Sequence, residues 1–273
     1  MAFSLEDYFA RIGYEGTPQA DVETLGTLQA HHIASIAFEN LDVLLDREIH
    51  LDDGAVFEKL VTARRGGYCF EQNGLLERVL RELRFNVRSL AARVLIARPD
   101  QVPPRTHRLL CVAVHGEEWL VDVGFGSQTL PQPMRFLPGE EVITPSGIYR
   151  LDADHDDFIL NLFQNNVWQP LYRFDTEDQY AADFLMANHF IAHWPDSHFR
   201  QHILMSRHLP DGGKVTLNNF RFTHYGRDGV TIHEEDLTPD RLTEVLETEF
   251  LLGLTHPQHG LTPATLHKLG RFA

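Results

Sequence analysis

Near Asn86 the apolar pattern of the chain changes period, and this change restricts the fold more than any other sequence feature. Before it, apolar residues recur at helical spacing: Val22, Leu25, Leu28, Ile33 and Ile36, then Val56, Phe57, Leu60 and Val61, then Leu75, Leu76, Val79, Leu80 and Leu83. Ser4 three residues before Asp7, Thr17-Pro18 and Asp52-Asp53 read as helix starts. After it, Val87 to Ile96 is rich in β-formers, and Leu109–Val114 with Trp119–Val123 reads as a hairpin. A second hairpin joins Phe158–Phe163 to Val167–Phe174. The proline-rich stretch from Gln128 to Gly147 reads as irregular loop. A helix from about Glu177 to His193 follows, then short strands near Ile203, Val215, Phe220 and Val230. Thr238-Pro239 and Thr262-Pro263 open the last helices. The order predicts an α+β chain of three packed segments, 1–85 helical, 86–175 mostly strand and 176–273 mixed.

A chain of 273 residues with 43% hydrophobic and 23% charged residues can bury a sizeable core. Its apolar runs, such as Phe250-Leu251-Leu252, fall far short of the roughly 20 residues of a membrane span. The start, Met1 to Asp7, lacks the basic and apolar regions of a secretory signal, so a cytoplasmic protein is expected. A formal net charge of -15 argues against nucleic acid and anionic membranes as partners. The two cysteines, Cys69 and Cys111, make neither a disulfide framework nor a cysteine zinc site. Each is therefore either buried filler or a reagent.

Arg64-Arg65-Gly66-Gly67-Tyr68-Cys69-Phe70-Glu71-Gln72-Asn73 is the strongest local signal for chemistry. The glycines permit a tight turn, and Cys69 then stands at the start of an apolar-periodic helix. Unpaired amides and the dipole at a helix N-terminus stabilise a thiolate, which is the nucleophilic form of a thiol with an ordinary pKa of ~8.5. The plain alternative is a buried cysteine. Cys111, mid-strand among Leu109, Leu110 and Val112, reads as inert. A cysteine nucleophile needs an imidazole base and a group that orients it. His107 immediately precedes the strand of the first hairpin, and Asp122 sits inside the apolar run Leu120-Val121-Asp122-Val123, where a carboxylate must be paired. A turn centred on Gly116-Glu117 would set Cys111 across from Asp122 and His107 across from Gly126. His107 and Asp122 would then share a face but lie too far apart to bond, unless a bulge, a twist or another register closes the gap. Gly124-Phe125-Gly126-Ser127-Gln128-Thr129 can turn amides toward an anion, although it is no Walker loop. Phe38-Glu39-Asn40-Leu41-Asp42 reads either as a helix end with a turn or as a polar group meeting Arg65.

Phe38-Glu39-Asn40-Leu41, Arg65-Gly66-Gly67-Tyr68-Cys69, Thr106-His107 and Val121-Asp122-Val123-Gly124-Phe125-Gly126 together resemble the arylamine N-acetyltransferase family, in its order and near its spacing. The resemblance is specific in the first half of the chain and loose over the last hundred residues. It implies a helical bundle, a central β-barrel and an α/β lid around a Cys-His-Asp core like that of cysteine proteases. It implies that Cys69 is acetylated by acetyl-CoA, that His107 activates it and that Asp122 orients His107. Acetyl transfer to arylamines, arylhydrazines or N-hydroxyarylamines would then be ping-pong, with no permanently bound cofactor. Phe125, Phe38 and Val94 would line the acceptor pocket, and Gly124, Gly126, Ser127 and Thr129 would lie near the donor's phosphates. Glu39 and Arg65 would form a structural ion pair. The enzyme would work as a monomer or homodimer on small molecules. An anionic donor has to be held by local amides against an unfavourable overall field.

Three other readings compete. An amide synthase, or a cysteine hydrolase or transglutaminase-like enzyme, could use the same triad. Papain-like enzymes place the histidine roughly 130–150 residues after the cysteine, whereas here the gap is 38 residues. A metalloprotein could use His189 with His193, or His198 with His202, but no His-Glu-x-x-His motif exists and no metal is expected. A non-catalytic binding module would need no reactive thiol.

Overall fold

The computed structural model describes residues 3–96, 100–145 and 147–272. Helices fill its first part: α1 Leu5–Ile12, α2 Val22–Ser35, the short α3 Leu41–Leu44, α4 Asp53–Phe57 and α5 Cys69–Glu82. Their starts follow local capping chemistry. Ser4 Oγ accepts from Asp7 N at 3.1 Å, and Asp52 Oδ1 accepts from Ala55 N at 2.9 Å. Thr17-Pro18, in contrast, starts no helix. Asp21 caps α2 instead, its Oδ1 accepting from Thr24 N at 2.8 Å. α4 continues into a π-helical turn, Glu58–Thr62. Tyr8, Leu25, Leu28, Leu60, Leu76 and Val79 form the centre of the helical core.

Strand β1, Phe38–Glu39, interrupts the helices, and its partners come from the far end of the chain. The next strands are β2 Asn86–Val94, β3 Arg105–Val114, β4 Glu117–Val121, β5 Met134–Arg135, β6 Glu141–Thr144, β7 Gly147–Asp154, β8 Asp157–Gln164 and β9 Val167–Phe174. They form one 8-stranded antiparallel sheet in the order β5-β4-β3-β2-β9-β8-β7-β6. Leu90, Leu109, Leu120, Met134, Tyr149, Leu160, Leu171 and Phe174, from strands across the whole sheet, pack into a single core. The sheet therefore curls around its own inner face as a barrel. The outward residues of the same strands, Val87, Leu110, Val112 and Val121, join the helical core. Period-2 alternation thus builds two cores from one sheet.

The stretch 128–147 is more regular than its prolines suggest. It holds β5, β6 and the first residue of β7, which fit around Pro131, Pro133, Pro138 and Pro145 in the gaps between short strands.

Helix α6 Ala181–His193 starts a few residues later than the apolar pattern suggests, and α7 His198–Gln201 follows Pro195. Strands β10 Leu204–His208, β11 Lys214–Asn218, β12 Arg221–Tyr225 and β13 Thr231–Asp236 form a second sheet of order β1-β10-β11-β12-β13. Helices α8 Pro239–Thr248 and α9 Pro263–Leu269 pack on it through Leu242, Val245, Leu246, Leu266 and Leu269. Because β1 carries Phe38 and Glu39, this sheet reaches the turn that precedes Cys69. Among the described residues, no helix is long and apolar enough to cross a membrane.

Leu160 is fully buried in the barrel core. Leu160→Ala should lower the unfolding free energy by about 2–5 kcal/mol, read as a reduced urea midpoint.

Candidate active site

The turn before α5 is built for close approach. A Cβ at Gly66 would run into the Ala37 carbonyl, and Gly67 forms a parallel bridge with Phe38. Glu39 N donates to Gly67 O at 3.1 Å, so the turn is laced to β1. Glu71 then caps the helix by accepting from Tyr68 N at 3.1 Å. Cys69 is the first residue of α5 and is 4% exposed.

Buried charges hold this turn from behind. Glu39 Oε1 accepts from Arg65 Nη2 at 2.6 Å and Nε at 3.1 Å, as the resemblance implies. The pair is part of a larger cluster. Arg65 Nη2 also reaches Asp42 at 3.2 Å, and Lys59 Nζ lies 2.7 Å from both Asp42 and Glu71. Burial opposes ionisation of Asp42, but Lys59 and Arg65 outweigh it and hold its carboxyl well below the usual range. Burial raises Glu71 despite Lys59 beside it. Lys59 and Glu71 were assigned no role from sequence. A lysine inside the apolar run from Val56 to Val61 is the available signal, because a buried ammonium requires carboxylate partners.

The first hairpin corrects the expected register. Its turn is His115-Gly116, both at positive φ, 51° and 84°, flanked by the pair Val114 and Glu117. The twist-matched two-residue turn wants left-handed backbone at both central positions, and Glu117 is the poorer residue for one of them. Moving the turn by one residue shifts the pairing by two, so Cys111 faces Leu120. Continued past the last pair, Leu110 with Val121, this register sets Asp122 across from Leu109. His107 is then a diagonal neighbour on the same face, at about 7 Å between backbones. The side chains close that gap: His107 Nε2 meets Asp122 Oδ2 at 2.7 Å. A bulge leaves Thr106 unpaired against β2, and its carbonyl accepts from Cys69 Sγ at 3.6 Å. Cys69 is close enough to His107 to interact with its ring.

Burial alone would lower the His107 pKa. The Asp122 carboxylate and the bonds to Asp122 and Cys69 outweigh it and raise His107 to about 10. Imidazolium is therefore its form at neutral pH. Burial pushes the Cys111 thiol up to about 12, which leaves it protonated.

The other predicted residues fall around this centre. The Phe125 ring lies 4.8 Å from His107 between centroids, and Tyr172, unmarked in the sequence, lies 5.0 Å from His107 and 4.8 Å from Phe125. Val94 pairs directly across from Tyr172, and Phe38 lies beside Gly126. Gly124 N donates to Asp122 Oδ1 at 2.9 Å, and a Cβ there would come 2.6 Å from Cys69 Cα. Gly126, at φ 75°, opens a 3-10 turn through Gln128. Thr129 is buried, and its Oγ1 accepts from Phe125 N at 2.9 Å. Ser127 is half-buried, and its carbonyl accepts from Lys214 Nζ at 2.8 Å.

The rings of His189 and His193 stack at 4.3 Å on an exposed face of α6. Among the described residues, no group of three His, Cys, Asp or Glu could hold a metal ion. A cavity of about 640 Å³ lies apart from the triad, between α5, residues 48–53 and α6.

Residues 21–259 match the family model described as N-acetyltransferase. The chain is 52% identical over 260 residues to an arylamine N-acetyltransferase of Escherichia coli, covering 94% of this chain and 92% of that one. It is 49% identical over 268 residues to the arylamine N-acetyltransferase / N-hydroxyarylamine O-acetyltransferase of Salmonella typhimurium, covering 97% and 95%. The solved structure of a Salmonella typhimurium arylamine N-acetyltransferase superposes with a TM-score of 0.95 at 48% identity, covering 98% of each chain. That of the Mycobacterium marinum arylamine N-acetyltransferase in complex with CoA superposes at 0.92 and 32% identity, covering 99% of this chain and 100% of that one.

Two outcomes are expected from this geometry. Lys59→Met removes the cation paired with Glu71 and one of those paired with Asp42, and should destabilise the protein by about 3–5 kcal/mol in denaturant titration. The raised His107 pKa contributes stability that is fully present below about pH 6.5 and is lost as pH rises through about 10. The folded protein keeps a proton across that window that the unfolded chain releases. His107→Gln should therefore lose less stability than the wild type between these limits, a difference of about one proton in the slope.

Proposed function

This chain belongs to the arylamine N-acetyltransferase family, and from that premise we propose that Cys69, His107 and Asp122 carry the acetyl group from acetyl-CoA to the acceptor. The observation that supports this most is the His107–Asp122 contact at 2.7 Å beside a sulfur at a helix N-terminus. An imidazolium next to that sulfur favours the thiolate. The thiolate attacks the thioester carbonyl of acetyl-CoA, the bond from carbonyl to coenzyme A sulfur breaks, and the proton on His107 goes to the leaving thiolate. An acetyl-thioester remains on Cys69. The acceptor nitrogen, or the oxygen of an N-hydroxyarylamine, then attacks the same carbonyl and gives its proton to His107, while Cys69 leaves as thiolate. Two half-reactions through one covalent intermediate are ping-pong by construction.

Asp122 stabilises the imidazolium and holds its ring in the plane that both proton transfers need. Phe125, Phe38 and Val94 form the aromatic and aliphatic wall for the acceptor ring. An aryl nitrogen suits such a wall, because weakly basic amines stay neutral near pH 7. On the donor side, the buried Gly126 and half-buried Ser127 form the turn of the loop, whereas Gly124 and Thr129 act by shaping it. Glu39 and Arg65 brace the turn before Cys69. One chain supplies every group named, so the site is complete in a monomer and equally in a homodimer. Two free, buried cysteines fit a reducing compartment, and we assign the protein to the cytoplasm.

Intact mass after mixing with acetyl-CoA should rise by one acetyl group, and Cys69→Ala should show no increase. His107→Gln and Asp122→Asn should each reduce turnover by about 10³-fold or more with an unchanged fold. An acetyl group on the Cys69→Ala protein would remove Cys69 from the reaction.

A further inference from the structure

We infer that Asn73 is a positioning residue for this reaction: its carboxamide locks Asp122, and through it His107, to the helix that carries Cys69. The inference rests on the triad reading above. Asn73 stands four residues after Cys69 on α5, so both lie on one helix face a turn apart. Its amide is fully buried and spans three elements. Nδ2 donates to Asp122 Oδ1 at 2.9 Å and to the Arg108 carbonyl, next to His107 on β3, at 2.6 Å. Oδ1 accepts from Val123 N at 3.1 Å. A reversed amide would aim its oxygen at two acceptors, so the network admits one orientation.

The bonding of Asp122 shows what this does. Oδ2 faces the imidazole, while Oδ1 accepts from Asn73 and from Gly124 N. Both donors engage the oxygen that the imidazole does not use, so they fix the carboxylate plane without competing for Nε2. Neutrality matters here. A cation at position 73 would rival the imidazolium for Asp122, and an anion would repel the carboxylate. Neighbouring Gln72 cannot substitute, since its amide is committed to the Ala37 and Gly67 carbonyls and to His32. The ionisable groups around position 73 are Asp122, His107 and Cys69. On the outer side lies Arg108, paired with Glu77.

Single-turnover acetylation by acetyl-CoA, followed by rapid quench and intact mass from about pH 6 to about pH 9, tests this in the wild type, Asn73→Ala and Asn73→Asp. Asn73→Ala should acetylate about 10- to 100-fold more slowly, with its dependence on donor concentration little changed. Asn73→Asp preserves shape but sets a second carboxylate against Asp122. Its rate relative to wild type should be lowest near pH 9 and recover as pH falls, because a protonated carboxyl can again donate to Asp122. A folded Asn73→Ala protein that acetylates at the wild-type rate overturns the inference. If that variant does not fold, an Asn73→Asp rate that tracks wild type at every pH overturns it equally. A wild type that takes up no acetyl at Cys69 sinks the triad reading itself, whereas fast acetylation of wild type and Asn73→Ala alike removes only Asn73.

Discussion

Asp122 is a carboxylate with no exposure at all, set at the end of an apolar strand. Such a group persists only if every lone pair facing the protein is used. Here the donors come from β3 (His107), from α5 (Asn73) and from the segment after β4 (Gly124). These are the elements that must meet if Cys69, His107 and Asp122 act together as proposed. Satisfying the carboxylate and assembling the site are therefore one requirement, and a fold that left α5 displaced by a few ångströms would carry an unpaired buried charge. Removing the carboxylate's partners one at a time costs more than any surface contact, so the arrangement is cooperative by its energetics.

The start of α5 depends also on a second buried set. Arg65 and Lys59 face Glu39, Asp42 and Glu71, and the half-buried Arg47 adds a third cation at 3.5 Å from Asp42. Glu71 is both part of this cluster and the cap of α5, so the charge cluster and the helix start share a residue. The glycine at position 66 lets that turn press against Ala37, and β1 carries the constraint into the second sheet. Cys69 is thereby fixed by contacts to the helical core, the barrel and the distal sheet at once.

Much of this was legible in the residues. Period and capping placed α1, α4, α5 and the hairpins, and the acid in Leu120-Val121-Asp122-Val123 announced itself as a buried group in need of a partner. What failed was geometry set by single backbone torsions. The hairpin turn differs by one residue from the expected one because His115 takes a left-handed conformation that little in its identity advertises. That one step decides whether His107 and Asp122 are bonding neighbours. The stretch 128–147 misled because prolines mark strand ends as well as loops. Lys59 was passed over because an apolar helix pattern hides a charge whose partners are distant in sequence. Asn73, quoted in the motif, carried no signal of its own, since its role exists only once α5 and β4 meet.

The two cysteines are the same residue type in different placements. Cys111 lies four residues after His107 on the same inward face of β3, in the same barrel core. Burial there raises its thiol, and Arg88, paired across from it on β2, lowers it too little to reverse that. Cys69 is nearly as buried, but it opens a helix and touches an imidazole that Asp122 keeps charged. A low-dielectric interior amplifies whichever charge is adjacent. The two thiols thus differ in their neighbours: Cys111 faces Arg88 across the sheet, whereas Cys69 lies beside an imidazole that Asp122 keeps charged, and under the proposed reaction that contrast separates filler from nucleophile.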